Sequence, residues 1–516
     1  MKKINLSAII PLLGCLLLGG FLRFQHIGLR PFWLDEANSV NFLQFSWGSL
    51  WQQIAGAESA PAYIYAIKAW SLILGDSEAT IRSFSAMLSL FSILVIYFLG
   101  KKLFNEKVGL WSAFLLAINY FSFFYTLQAR QYSAVILISL LAYFYFLQIL
   151  SRKKISDGFW FILFSTLGLY LHPWFAFVFL AEIIWVIFRR KEKTLLMLGL
   201  FSGIALFFLP WLKILFQYRA AGVNDWISSP GVAVLLQTFQ FFIYGSGWIY
   251  LIILSLATPS LFFVIKKEKV GANLSLRVTD REDYFRSQSN NFFMLAWFLF
   301  FPLLAAWILS QWFPFYVVGR YEALVLPFFV ILLAFLYSQL RNKFLILGVL
   351  IIFSVFAYKA VKEDEKTILS YKYNDKNIAQ LLSENIQTED RIIFTDLSRP
   401  PFDYYLPRLV NENKTYAEYS FPLEMEGHPA FQSERIQLRN RAGLEQEAEN
   451  LVDKIENNAE KYTWIILAEN PVSKILWEKI NKLNCNIFLD LTLKENQPVS
   501  PLHFQQIWKC GSKNNN

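Results

Sequence analysis

The chain has 516 residues, of which 55% are hydrophobic, 18% aromatic and only 17% charged. That composition excludes a soluble multidomain protein, and 51 Phe, 17 Trp and 24 Tyr beside five Met exclude disorder, a disulfide-stapled miniature scaffold and a coiled coil. The net charge of +9 divides near residue 361: residues 1–361 carry 29 basic against 15 acidic side chains, and residues 362–516 carry 19 against 24. The basic excess sits mainly in short inter-helix loops, as membrane topology demands, rather than in a stripe that tracks phosphates, so nucleic acid is not expected as a partner.

Apolar runs read against their flanks predict eleven spans, near residues 4–22, 80–100, 108–125, 133–150, 158–171, 174–188, 194–216, 248–265, 292–311, 321–338 and 344–361. With the N-terminus inside, twenty basic residues fall on inside segments, whereas the opposite loops hold chiefly Arg23, Arg30, Lys68, Arg130, Arg219 and Arg320. The C-terminal 155 residues then lie outside. His172-Pro173 separates two short helices, because proline breaks a helix running through it. Residues 60–75, apolar but brief and containing Lys68, suit an interfacial helix better than a span. Leu12-Leu13-Gly14-Cys15 has the look of a lipoprotein cleavage site, but apolar residues resume after Cys15, as in an uncleaved first span.

The fold class expected is therefore an α-helical polytopic membrane protein with a C-terminal extracytoplasmic α/β domain, divided as 1–361 with a first outside loop at 23–79, and 362–516. In the second part, 391–395, 464–467 and 486–489 read as strands and 444–460 as a helix. The Arg399-Pro400-Pro401 and Asp403-Tyr404-Tyr405 segments read as loops that meet an acceptor, cap a cleft or simply pack. Cys485 and Cys510 flank a turn-like NQPVSP stretch; a hairpin centred there sets the thiols opposite each other, with a disulfide and two free buried thiols as the alternatives.

The sharpest signal is the first outside loop, Arg30-Pro31-Phe32-Trp33-Leu34-Asp35-Glu36-Ala37-Asn38-Ser39. Phe32 and Trp33 suit the membrane interface, which holds the carboxylates of Asp35 and Glu36 at the depth of a lipid headgroup's phosphate and sugar. A carboxylate there can take a proton from an acceptor. The plainer reading is a helix cap by Asp35 with Glu36 in a solvated first turn. Outside loop ends also supply groups for binding a donor phosphate: Arg130 in Gln128-Ala129-Arg130-Gln131-Tyr132, His172, and Arg320-Tyr321. Arginine forks phosphate oxygens and keeps its charge in a partly dry site; the plainer reading is a boundary arginine reaching for water. Glu182, inside a span, is expected to face the bundle interior.

Trp33-Leu34-Asp35-Glu36-Ala37, Pro61-Ala62-Tyr63 with Lys68-Ala69-Trp70, Ala129-Arg130-Gln131-Tyr132, Leu171-His172, Asp225-Trp226 and Arg320-Tyr321 with Pro327 together resemble the bacterial branch of the C-type integral-membrane glycosyltransferases. That branch includes protein O-mannosyltransferases and lipid A aminoarabinose transferases. The resemblance covers roughly residues 1–360. It implies a multi-pass inner-membrane enzyme that passes a sugar from a polyprenyl-phosphate carrier, such as undecaprenyl phosphate, to a protein, lipid or glycan acceptor on the outer face. It also implies Asp35 as catalytic base with Glu36 in support. Two departures stand out: Gln128 where the family often has Glu, and Ser59-Ala60-Pro61 where it often has His-Pro-Pro. Aminoarabinose as the sugar is therefore not supported.

Direct transfer through an oxocarbenium-like transition state, with the lipid phosphate leaving, gives inversion. No cofactor is required; a divalent cation against Asp35 and Glu36 is open, but two acids without matched histidines are thin grounds for a metal. No Gly-rich phosphate loop is present, consistent with a lipid-linked donor. A lipid-linked-sugar flippase or transporter and a glycan polymerase are the rival readings.

Overall fold

The computed structural model describes residues 6–56, 60–151, 154–221, 227–243, 278–340, 342–370, 374–423, 440–456, 461–468, 470–480, 484–491 and 504–511. In chain order the helices are α1 (Leu6–Phe24), α2 (Leu34–Asn41), α3 (Trp47–Gly56), α4 (Pro61–Leu74), α5 (Glu78–Leu103), α6 (Glu106–Ile118), α7 (Tyr120–Thr126), α8 (Tyr132–Ser151), α9 (Ile155–Leu171) and α10 (Phe175–Arg189). There follow α11 (Thr194–Ala221), α12 (Ala233–Ile243), α13 (Val278–Leu309), α14 (Leu326–Ser338), α15 (Lys343–Ser370), α16 (Asp375–Asn385), α17 (Arg399–Leu409), α18 (Arg441–Glu456) and α19 (Pro471–Ile480). The strands are β1 (Asp390–Thr395), β2 (Tyr416–Phe421), β3 (Thr463–Leu467), β4 (Asn484–Asp490) and β5 (Gln506–Gly511). Two compact units form: Met1–Ile27, Arg82–Lys213 and Ile227–Glu363 in one; Gly28–Ile81, Ile214–Trp226 and Asp364–Asn516 in the other.

Five described helices are long and apolar enough to cross a membrane: Glu78–Leu103, Tyr132–Ser151, Lys191–Gln217, Gln288–Leu309 and Lys343–Glu363. The expected span 248–265 lies outside the described residues; the other ten positions fall on described helices, several of them shorter than a full crossing. The run 108–125 is not one helix. It bends by 53° between α6 and α7, because Asn119 takes an extended conformation and caps α7, its Oδ1 accepting the Ser122 amide at 2.9 Å. The His172-Pro173 break separates α9 from α10 as expected.

A helix broken inside an apolar bundle frees carbonyls that water cannot reach. Arg23 supplies the partners. Its sequence position suggests a loop, yet it ends α1 fully buried. Its guanidinium donates to Ala117 O at 2.7 Å and Leu116 O at 3.1 Å at the end of α6, and to Ser122 Oγ at 3.2 Å in α7. It also reaches Ser89 Oγ of α5 at 2.7 Å and its own Gly19 O at 3.1 Å. Where α5 and α6 cross, a Cβ at Gly109 would stand 2.6 Å from Tyr97 O, so only glycine permits that approach.

The second unit is α/β, as expected. Its sheet runs β2-β1-β3-β5-β4, with β2, β1 and β3 parallel and β5 antiparallel to both of its neighbours, β3 and β4. Every residue of β1 is buried, the pattern of a central strand covered on both faces. One face packs Ile393, Ile465 and Cys510 against Leu444, Ala448 and Leu451 of α18 and Val472, Ile475 and Leu476 of α19. Cys485 of β4 and Cys510 of β5 are directly paired in register and form a disulfide; the NQPVSP stretch itself lies outside the described residues. Residues 399–405 are not loops. They open α17, since prolines at 400 and 401 sit in a first turn, where the missing N–H is no loss.

Candidate active site

Asp35 and Glu36 lie in the first turn of α2, and the structure gives them different surroundings. Successive helical residues point about 100° apart, so one of an adjacent pair turns inward. Glu36 does, with 1% exposure, and its Oε2 accepts the Trp33 amide at 3.4 Å, closing the start of the helix. Asp35 stays half-buried. The cap thus falls to Glu36, not to Asp35, and Glu36 is buried rather than solvated. Phe32 is fully buried and packs edge-on against Tyr404, ring centroids 4.9 Å apart. Lys68 of α4 is committed to structure: its Nζ donates to Leu43 O and Phe45 O, both at 2.7 Å.

The groups expected on a donor phosphate gather within the first unit. Arg130 sits in the turn between α7 and α8, held by Ser85 of α5, whose hydroxyl donates to Gln128 O at 3.0 Å. Tyr132 opens α8, its ring 4.3 Å from that of Tyr125, and Tyr125 lies within electrostatic reach of both Arg130 and Arg320. Tyr125 also donates its hydroxyl to Gly319 O. His172, 7% exposed at the end of α9, has its ring 4.5 Å from Tyr321. Its Nδ1 accepts the Trp174 amide at 3.2 Å, and burial, with the charge of Arg130 second, pushes its pKa down to about 3. A neutral ring with Nδ1 accepting carries its proton on Nε2, so His172 offers one N–H rather than a positive charge.

Three further residues build this cluster. Glu322, fully buried, accepts at Oε1 from Thr238 of α12 at 2.8 Å and from the Gly319 amide at 3.2 Å. Gly319 has φ +80°, and a Cβ there would meet the Phe241 ring at 3.2 Å. Ser139 of α8 fixes the other end of the loop, donating to Leu324 O at 2.7 Å. Tyr125 and Glu322 escaped the sequence reading. The available signal was a carboxylate beside Arg320-Tyr321 at the edge of an apolar run. Glu182 is buried in α10, as expected, near Tyr143.

Ser59 and Asp225-Trp226 lie outside the described residues. Among the described residues no three His, Cys, Asp or Glu side chains converge as metal ligands.

Residues 58–214 match the model of the dolichyl-phosphate-mannose-protein mannosyltransferase family. No curated protein matches the sequence. Among solved structures, ArnT from Cupriavidus metallidurans bound to undecaprenyl phosphate is 10% identical, with TM-score 0.57 and 98% of each chain covered. The same protein in its apo state gives 0.56 at 10% identity, covering 97% of each. The family match thus takes in Arg130, Tyr132 and His172, and the fold of ArnT is shared over nearly the whole length of the chain.

Proposed function

We propose that the protein transfers a sugar from a polyprenyl-phosphate donor, undecaprenyl phosphate being the carrier, to an acceptor on the extracytoplasmic side of the inner membrane. Two half-buried arginines from distant parts of the sequence, Arg130 and Arg320, both lie within electrostatic reach of the buried Tyr125, with the neutral His172 against Tyr321 beside them, and this observation carries the reading. Such a cluster suits a lipid phosphate, because fixed guanidinium charge in a water-poor site offsets the negative charge that grows on the departing oxygen. The ArnT structure contains undecaprenyl phosphate within the same fold.

In this reading Asp35 takes the proton of the acceptor hydroxyl or amine, the acceptor atom bonds to the anomeric carbon, and the bond from that carbon to the phosphate oxygen breaks. The configuration inverts, and the polyprenyl phosphate leaves with its charge met by Arg130 and Arg320. Tyr132, Tyr321 and the Nε2 proton of His172 complete the phosphate site. Glu36 supports Asp35 by fixing the start of α2. Eleven spans with the N-terminus inside put the C-terminal domain outside, where the Cys485–Cys510 disulfide is at home in an oxidising compartment.

The test uses purified wild type and Asp35→Asn with a panel of undecaprenyl-phosphate hexoses and pentoses, with and without membrane extract, and measures free undecaprenyl phosphate. Acceptor-dependent release by wild type that collapses in the variant supports the reading. Equal turnover by the two proteins overturns the role of Asp35; movement of intact donor across vesicles without release overturns transfer in favour of a flippase.

A further inference from the structure

The segment bearing Asp35 is gripped by one helix of the C-terminal domain. Tyr405 of α17 accepts the Phe32 amide at 2.6 Å and donates to Glu78 Oε1 at 3.1 Å. Lys376 of α16 donates to the same Glu78 oxygen at 2.9 Å. The tether therefore runs from α16 through Glu78 and Tyr405 to the residue three before Asp35. At the other end of α2, Asn41 donates to Pro400 O at 2.9 Å. Tyr404 donates to Asp76 O at 3.0 Å, and Arg408 pairs with the Asp76 carboxylate. Tyr405 is 2% exposed, and its two bonds join segments far apart in sequence.

A helix of eight residues is too short to hold its own direction in water. The hydrogen bonds of α2 within itself do not fix where Asp35 points; the contacts at its two ends do. Phenylalanine at 405 would fill the same volume and keep the ring contact with Tyr404, 4.9 Å between centroids, but would remove the hydroxyl that accepts the Phe32 amide and leave Glu78 Oε1 with Lys376 as its donor.

We propose that Tyr405 is a positioning residue for Asp35: its hydroxyl anchors the entry to α2 and so makes the C-terminal domain part of the apparatus that orients the base. The proposal rests on the function proposed above for Asp35. It assigns to this domain a role in the turnover step rather than in donor capture.

The experiment compares full-length wild type, Tyr405→Phe and Asp35→Asn in detergent by hydrogen–deuterium exchange and by steady-state release of undecaprenyl phosphate from the same donor panel. In Tyr405→Phe, amides of residues 32–45 are expected to exchange at least about tenfold faster while β1 and β3 stay protected. The kcat is expected to fall about tenfold or more with KM for the donor unchanged. Wild-type exchange over 32–45 overturns the proposal, as does faster exchange with an unchanged kcat. If Tyr405→Phe also loosens β1 and β3, the surface variant Lys376→Ala decides: about two- to threefold faster exchange over 32–45 supports the tether, and no change overturns it. If Asp35→Asn turns over like wild type, the functional reading and this role for Tyr405 both fail, while the exchange result still reports whether the tether exists.

Discussion

Glu322 Oε1 and the Gly319 amide lie 3.2 Å apart, and that bond closes the turn that presents Arg320 and Tyr321. The same oxygen accepts from Thr238 at 2.8 Å, which ties the turn to α12. Replacing Glu322 with alanine removes the acceptor of the buried Gly319 amide, a loss of about 1–3 kcal/mol, while the Thr238 hydroxyl keeps Val234 O and the Tyr316 hydroxyl, both at 3.0 Å. Glu322→Gln keeps an acceptor oxygen and is expected to retain most of the stability. Thermal unfolding in detergent, with donor KM as the second readout, checks the order wild type, Glu322→Gln, Glu322→Ala.

Arg23 is expected to be among the costliest positions in the first unit. Its five hydrogen bonds include Ala117 O and Leu116 O where α6 ends, so Arg23→Met fills comparable space but takes the guanidinium donor from Ala117 O and leaves Leu116 O with the Asn119 amide at 3.4 Å. Each buried polar group left without a partner costs about 1–3 kcal/mol. Arg23→Lys reaches fewer partners and should fall between the two. The measurement is yield of folded protein and melting temperature; a melting temperature for Arg23→Met equal to wild type would refute the assignment.

Adjacent acids should behave unequally. Asp35→Asn is expected to lower kcat by about 10²–10⁴, the range for removing a general base. Glu36→Gln still accepts the Trp33 amide through its amide oxygen, so activity should stay within about tenfold of wild type. Similar losses in the two variants would place proton transfer on the pair rather than on Asp35.

Much of the scaffold was legible because apolar runs and their flanks report burial directly: the helices, the His172-Pro173 break and the Cys485–Cys510 hairpin all follow from local pattern. The rest depends on partners distant in sequence. Asn119 interrupts a run of apolar residues, and only the capped Ser122 amide with Arg23 on the freed carbonyls makes a break stable there. Arg399-Pro400-Pro401 looked like a loop because proline usually ends helices, whereas its first-turn position starts one. Asp35 reads as a helix cap and Glu36 as a solvated first-turn residue because two adjacent acids carry no local mark of which one packs inward, and the structure buries Glu36. The grouping of residues 28–81 with the C-terminal sheet had no local signature at all, being carried by Tyr404, Tyr405 and Arg408.

Asp375, the first residue of α16, gives the second unit a pH dependence opposite to ordinary acid denaturation. A helix start favours a carboxylate, but burial outweighs this and pushes the pKa up to about 7 from an ordinary 3.8. The folded state therefore holds a proton that the unfolded chain has already released between those two values. Stability from this group is fullest below about pH 4 and declines as pH rises toward about 7, a swing on the order of 2–4 kcal/mol. Asp375→Asn cannot ionise, so it should melt higher than wild type at pH 8 and converge with it at pH 4.5. Melting curves of both proteins at the two pH values check this, and a constant difference between them would show that the carboxyl does not titrate in that window.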